Sequence, residues 1–233
     1  MDRRPLKNRT GIIHALDIED LPRAVKVARE VEPYVDAIKL PWLLIMVNGA
    51  AAIDQVRKEI QLPVITDFKV ADIPEISGAI VRCALEYGAD GITLQGFVGG
   101  DTMQECIKVA HESSGITFIV TEMSHPGAER FMQPVGEEIA KMAKELGSDG
   151  IVAPATRSER TKEYRKIIGD EMLIMSPGVG AQGARVGDAI RAGANFEVIG
   201  RRIYQAENPG EAAKRFSEMI TEAKKSLSAR ASQ

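Results

Sequence analysis

Cysteine is nearly absent from this chain. Cys83 and Cys106 are the only two among 233 residues. They sit in helix-like segments without C-x-x-C spacing, which excludes a disulfide scaffold and a thiolate zinc site. Both are expected to be buried apolar fillers in a reducing compartment. Long apolar runs are missing too: no segment reaches the roughly 20 residues that span a bilayer. The opening Met1-Asp2-Arg3-Arg4-Pro5 lacks the apolar stretch of a signal region. A soluble, cytoplasmic protein with no membrane partner is the expectation. Nor is positive charge in excess, since 30 Lys and Arg face 33 Asp and Glu for a formal net charge of -3. The broad basic surface of a nucleic-acid binder is therefore excluded, and a small-molecule ligand is implied.

No linker interrupts the sequence, and 44% hydrophobic content over this length suffices for one sizeable core. Short apolar runs alternate with longer amphipathic stretches throughout. Strands are predicted over 11–17, 37–40, 63–69, 91–96, 117–124, 150–155, 173–179 and 196–201. Helices are predicted over 21–31, 43–60, 75–87, 101–112, 128–146, 158–168, 187–192 and 209–227. Glycine ends several helices just before the next strand, as in Tyr87-Gly88-Ala89-Asp90-Gly91, where a left-handed turn is required. Eight strand-helix units with mostly apolar strands predict an α/β fold, a closed parallel (β/α)8 TIM barrel in a single domain. Residues 1–10 are expected to form a flexible, solvated arm, 11–227 the barrel and 228–233 a flexible tail.

The densest chemistry lies in Asp67-Phe68-Lys69-Val70-Ala71-Asp72-Ile73-Pro74, which follows the apolar run Pro63-Val64-Ile65-Thr66. Alternation along a strand puts Asp67 and Lys69 on one face and Phe68 on the other, with Asp72 just beyond in the loop. A lysine between carboxylates has its charged form favoured, so it suits a proton donor better than a base or an imine-forming amine. A structural ion pair would use the same residue types. The other polar strand ends weigh against it: Asp17, Lys39, Ser124 and Arg201 all fall at the C-terminal ends of their strands, where barrels of this type place their chemistry.

After the seventh strand comes Pro177-Gly178-Val179-Gly180-Ala181-Gln182-Gly183-Ala184-Arg185-Val186-Gly187, and after the eighth Gly200-Arg201-Arg202. These two loops commonly hold phosphate in such barrels. Glycine lets backbone N–H groups approach an anion, and arginine adds a fork of charged donors. A phosphorylated substrate and a lid over it are predicted. Arg202 is expected to face away from Arg201.

With these residues in view, the chain resembles the orotidine 5'-monophosphate decarboxylases, in their short archaeal form, over essentially the whole barrel. Leu16-Asp17, the segment from Asp67 to Pro74, Thr121-Glu122-Met123-Ser124-His125-Pro126-Gly127-Ala128, and Pro177 to Gly183 with Gly200-Arg201 carry the resemblance. It implies decarboxylation of orotidine 5'-monophosphate to UMP and carbon dioxide, the last step of de novo UMP formation, with no metal or other cofactor. Lys69 would protonate C6, within an alternating network of Lys39, Asp67, Lys69 and Asp72. Asp72 would come from the other subunit of a homodimer. Asp67 would lie beside the departing carboxylate. Asp17 and Lys39 would bind ribose hydroxyls, and Ser124 the pyrimidine. Gln182 would bridge Ser124 and the phosphate loop. Pro177, Gly178, Gly180, Gly187, Gly200 and Arg201 would surround the phosphate. Ile73 and Ile76 belong to the same set from the turn after strand three.

Some positions depart from the family pattern. Lys39-Leu40-Pro41-Trp42 replaces a frequent Lys-x-Gly, Ile76 a frequent threonine, and Gln95 a frequent histidine. His125, before Pro126-Gly127, reads as a turn-packing residue, and His14 and His111 have less claim on chemistry. Two alternatives use the same barrel. A magnesium-dependent keto-sugar-phosphate decarboxylase or aldolase would share Asp67 and Asp72, yet needs a carboxylate where Lys39 stands, and an ammonium repels a cation. A non-catalytic nucleotide-binding barrel would be expected to lose Lys69 or an acidic neighbour, and this chain keeps both.

Overall fold

The computed structural model describes residues 3–180 and 183–231, the side chains of 228–231 excepted. Eight parallel strands close into a barrel in sequence order: β1 (Ile12–Ala15), β2 (Ala37–Pro41), β3 (Val64–Val70), β4 (Gly91–Gln95), β5 (Ile116–Val120), β6 (Gly150–Val152), β7 (Leu173–Pro177) and β8 (Phe196–Ile199). β1 pairs with β8 through Ile13 and Val198, which completes the ring. The expected (β/α)8 barrel is the fold.

Alternation along the strands produces two apolar layers. Ile13, Ala15, Ile65, Phe118, Val120, Val152, Met175, Phe196 and Val198 fill the barrel interior. Ile12, Ile38, Val64, Ile92, Ile119, Ile151, Ile174 and Ile199 point outward beneath the helices. Parallel strands covered on both sides need this double hydrophobic face. Gly150 has no room for more: an added Cβ would lie 2.6 Å from the Phe118 ring.

The outer layer comprises α1 (Leu21–Val31), α2 (Trp42–Asn48), α3 (Ala51–Glu59), α4 (Pro74–Glu86), α5 (Gly100–Glu112), α6 (Ala128–Phe131), α7 (Gly136–Glu145), α8 (Ser158–Ile168), α9 (Asp188–Arg191), α10 (Arg201–Tyr204) and α11 (Pro209–Ala231). Two predicted helices are broken. Gly49, at φ 76°, separates α2 from α3. Pro134, which has no N–H to give, lies in the 3-10 turn between α6 and α7. The strand expected over 117–124 ends at Val120, and Glu122 turns out of the sheet to meet arginines behind it.

At the N-terminal ends of the strands, one recurring device closes the barrel floor. Asp36 accepts from the N–H groups of Thr10 and Gly11, Asp90 from Val64, Asp149 from Thr117 and Asn195 from Ile174. Each side chain satisfies a backbone donor that has no strand partner. The N-terminal segment, expected to be solvated, packs here instead. Arg3 donates to the carbonyls of Ser113, Leu85 and Ala89, and Arg4 to those of Leu62 and Arg57. Five carbonyl acceptors at the ends of helices and loops explain why these arginines are held. At the other end, α11 continues to Ala231 through part of the expected tail.

The cysteine reading holds for one residue only. Cys106 is buried, and desolvation pushes its thiol up to about 12, whereas Cys83 is exposed on the outer side of α4. Among the described residues, no helix is long and apolar enough to cross a membrane.

Candidate active site

β3 carries its charge on a distortion. Its register against β4 shifts between Thr66 and Val70, and Lys69 has φ 47°. This left-handed backbone costs a non-glycine residue about 1–2 kcal/mol. It keeps Lys69 on the same face as Asp67, with its Nζ 2.7 Å from Asp67 Oδ1. Lys39, from β2, bonds the second oxygen, Oδ2. The sequence pattern suggested a lysine between carboxylates; the described chain has a carboxylate between lysines. Burial alone pushes the Asp67 carboxyl up, but Lys39 and Lys69 together outweigh it and hold the group well below the usual carboxylate range. Asp67 is therefore an anion whose two oxygens are both engaged by ammonium groups.

These residues open into a cavity of about 470 Å³ at the C-terminal ends of the strands. Asp17, Lys39, Asp67, Lys69, Ser124, Pro177, Gly178, Gly200 and Arg201 line it, so the structure brings these members of the sequence-derived set together. Its apolar wall is Ala15, Val120, Val152, Met175 and Val198, the upper interior layer of the barrel. Charge is thus gathered at β1–β3, continued by Arg201 after the adjacent β8, and the hydrocarbon of β5–β8 completes the wall.

Other residues of the predicted set are not brought into this cavity within one chain. The Asp72 carboxylate accepts from the N–H of Ile73, 2.7 Å away, and the Asp72 backbone is tied to Ser77. Ile73 and Ile76 are exposed on the same turn. Gly180 donates to the Ala184 carbonyl, and an added Cβ would lie 2.9 Å from the Arg202 stem. Gly187 is the left-handed cap of α9, and its N–H is taken by the buried carboxylate of Glu197. It anchors the base of the glycine-rich loop after β7. Gln182 lies outside the described residues. Arg202 is exposed, as expected.

Several supporting residues escaped the sequence reading. Trp42 stacks on Phe68 at 4.0 Å and donates to the Phe68 carbonyl at 2.7 Å, bracing the cavity rim against β3. The Pro41-Trp42 departure thus has a structural use. The loop bearing Ser124 is fixed from behind: Glu122, fully buried, pairs with Arg157 and Arg160 and accepts from Tyr164. Arg157 also donates to the Met123 carbonyl, and Thr156 to that of Ser124. Thr93 bonds both Lys69 and Asp67. An acid followed 35 to 38 residues later by two arginines was the visible signal for the first group; a lone threonine in an apolar strand gave none. Among the histidines, the His125 ring lies against Gly127, His111 pairs with Asp149, and buried His14 bonds the Ile199 carbonyl. Gln95 bonds the Met123 sulfur.

Among the described residues, no group of three or more His, Cys, Asp or Glu is placed to hold a metal ion. The donor set at Asp67 suits a cation poorly, because one would have to displace an ammonium from either oxygen.

A family model described as "Orotidine 5'-phosphate decarboxylase / HUMPS family" matches residues 10–216. The chain belongs to that family. The match includes every strand and every mouth residue from Asp17 to Arg201. The orotidine 5'-phosphate decarboxylase of Methanosarcina acetivorans is 49% identical over 215 residues, covering 92% of this chain and 96% of the relative. That of Methanocaldococcus jannaschii is 44% identical over 208 residues, covering 88% and 96%. Among solved structures, the M. jannaschii orotidine 5'-monophosphate decarboxylase complexed with the inhibitor BMP is similar with a TM-score of 0.85 at 44% identity, over 90% of this chain and 98% of that one. The Pyrococcus horikoshii enzyme has a TM-score of 0.84 at 38% identity, over 90% and 99%. Both ends of the cavity, the charged constellation at β2–β3 and the glycine-arginine pair after β8, lie within the matched residues.

Proposed function

We propose that Lys69 is the proton donor in the cofactor-independent decarboxylation of orotidine 5'-monophosphate to UMP, the reaction this chain carries out as a member of its family. The Lys39–Asp67–Lys69 constellation, placed beside an apolar wall and in one cavity with Arg201, carries the assignment of roles. Arg201 and the backbone at Gly200 hold the 5'-phosphate. Asp17 and Lys39 take the ribose hydroxyls, and Ser124 the pyrimidine. The substrate carboxylate then lies near Asp67 and the hydrocarbon of Val120 and Val152. As the bond to C6 breaks, the carboxylate leaves as neutral carbon dioxide, which an apolar wall solvates better than an anion. The electron pair stays on C6. The Lys69 ammonium faces that developing charge, stabilises it more than the ground state, and transfers its proton to C6. The neutral amine left behind regains a proton from water, for which the partly exposed Lys69 side chain is open.

Asp72 completes the network from a second copy of the chain. Its turn supports this reading: Ile73 is 61% exposed and Ile76 47%, an apolar surface beside a carboxylate that makes no ion pair among the described residues. The reaction runs in the cytoplasm, where free nucleotides are made. The test is the loss of orotidine 5'-monophosphate absorbance on mixing with chelator-treated protein. Full turnover in EDTA is expected. A proportionate loss restored by magnesium would instead favour the keto-sugar-phosphate chemistry.

A further inference from the structure

The strand that carries the proton donor is matched unevenly by its neighbour. Thr66 pairs with Ile92 and Val70 with Leu94, so the three residues Asp67, Phe68 and Lys69 on β3 face the single residue Thr93 on β4. A bulge of this kind leaves backbone donors without ladder partners, and the surplus residues collapse or re-aim unless something else engages them.

Thr93 does so with its side chain. It is fully buried. Its Oγ1 accepts from the Lys69 N–H at 2.9 Å and lies 3.0 Å from Asp67 Oδ1. The direction of both bonds is fixed by chemistry. An amide nitrogen can only donate, and an ionised carboxylate can only accept. The single hydroxyl proton must therefore go to Asp67, while an oxygen lone pair takes the amide. One hydroxyl thereby ties the left-handed backbone of Lys69 to the orientation of Asp67.

We propose that Thr93 is a positioning residue for proton transfer, whose hydroxyl sets the geometry of the Lys69–Asp67 pair. Asp67 then has three donors on two oxygens, Lys69 and Thr93 on Oδ1 and Lys39 on Oδ2. Three donors from three strands leave the carboxylate no free rotation. Because Lys69 and Asp67 are two residues apart on a bulged strand, a change in the Lys69 backbone would move its Nζ relative to C6 even though no substrate contact is lost. Thr93 touches neither the phosphate side nor the ribose side of the cavity, so its effect is confined to the chemical step. The inference rests on the roles of Lys69 and Asp67 given above.

The experiment compares Thr93→Val, nearly isosteric but without the hydroxyl, with Thr93→Ser, which keeps it. Thr93→Val is expected to lower kcat on the order of 10- to 100-fold, as misplacement of a reacting group does. Its dissociation constant for UMP should stay at the parent value, and Thr93→Ser should recover most of kcat. A purely structural role would lower the melting temperature and weaken UMP binding together, with no selective loss of kcat. Thr93→Ala, which creates no clash, replaces the valine variant if that fails to fold. Lys69→Ala is measured alongside. If it is inactive while Thr93→Val or Thr93→Ala keeps kcat within about threefold of the parent, the Thr93 inference is overturned alone. If Lys69→Ala is itself active, the proton-donor reading fails first.

Discussion

Removing the Lys69 amine should separate binding from chemistry. In Lys69→Ala, Asp67 keeps two of its donors, the Lys39 ammonium on Oδ2 and the Thr93 hydroxyl on Oδ1. The carboxylate is not orphaned, so the loss is one charge-assisted hydrogen bond at a partly exposed side chain, roughly 1.5–3 kcal/mol. A domain of this kind has about 5–15 kcal/mol in hand, and the barrel should remain folded. Chemistry is affected differently. General-acid transfer typically contributes about 10²–10⁴-fold, and a preorganised charge at the developing anion another ~10²–10³. Because both belong to one group, the factors are not independent, and a fall in kcat of at least ~10⁴-fold is expected. Arg201, Gly200, Asp17 and Ser124 are untouched, so UMP should bind near its parent affinity. Absorbance loss of orotidine 5'-monophosphate measures the first quantity and titration calorimetry with UMP the second. A variant that binds UMP normally and turns over within about tenfold of the parent would refute the assignment of Lys69.

The phosphate end makes a complementary prediction: Arg201→Ala should reduce kcat/KM for orotidine 5'-monophosphate by on the order of 10²-fold, since a charged bidentate donor is lost and the energy of holding a non-reacting group no longer orients the ring. With orotidine, which has no phosphate, the same variant should match the parent, and an equal loss on both substrates would remove Arg201 from the phosphate site. If the site is shared as proposed, mixing inactive Asp72→Ala with inactive Lys69→Ala subunits should yield heterodimers in which one mouth has both groups and the other neither. Activity toward half of parental per heterodimer is expected, and no recovery despite subunit exchange seen by mass spectrometry would place Asp72 in its own chain's site.

The barrel could be read from the sequence because its signal repeats. Eight apolar runs at regular spacing leave few alternatives, and the C-terminal ends of those runs show where chemistry must gather. What the alternation of side chains could not reveal is the bulge at Asp67–Lys69, because a two-residue period predicts the correct face for Lys69 whether or not the backbone turns left-handed there. The same blindness explains Thr93. Its type is ordinary in a buried strand, and only the three-against-one register shows that its hydroxyl replaces lost ladder bonds. Gly187 misled in the opposite way: glycine-rich sequence suggested an anion contact, whereas Glu197 takes its N–H and makes it an anchor. The N-terminal arginines looked like solvated charge because their acceptors, backbone carbonyls of residues 57 to 113, come together only in the folded barrel.

Acidic side chains do opposite work at the two ends of this barrel. At the floor, Asp36, Asp90 and Asp149 accept backbone N–H groups that begin strands, so their charge is spent on the chain itself. At the mouth, Asp67 accepts from two lysines and a hydroxyl and takes no backbone donor in the described contacts. That difference decides how each end tolerates change. Asp149, whose described contacts all use one oxygen, keeps that acceptor when exchanged for asparagine, and Asn195 already serves in that manner at β7. Asp67 exchanged for asparagine keeps its shape but loses the charge that holds two ammonium groups together at short range, where their mutual repulsion is strong. The strand ends can therefore diverge in role while the hydrocarbon between them stays the same. Stability is anchored where charge meets backbone, and reactivity is placed where charge meets charge.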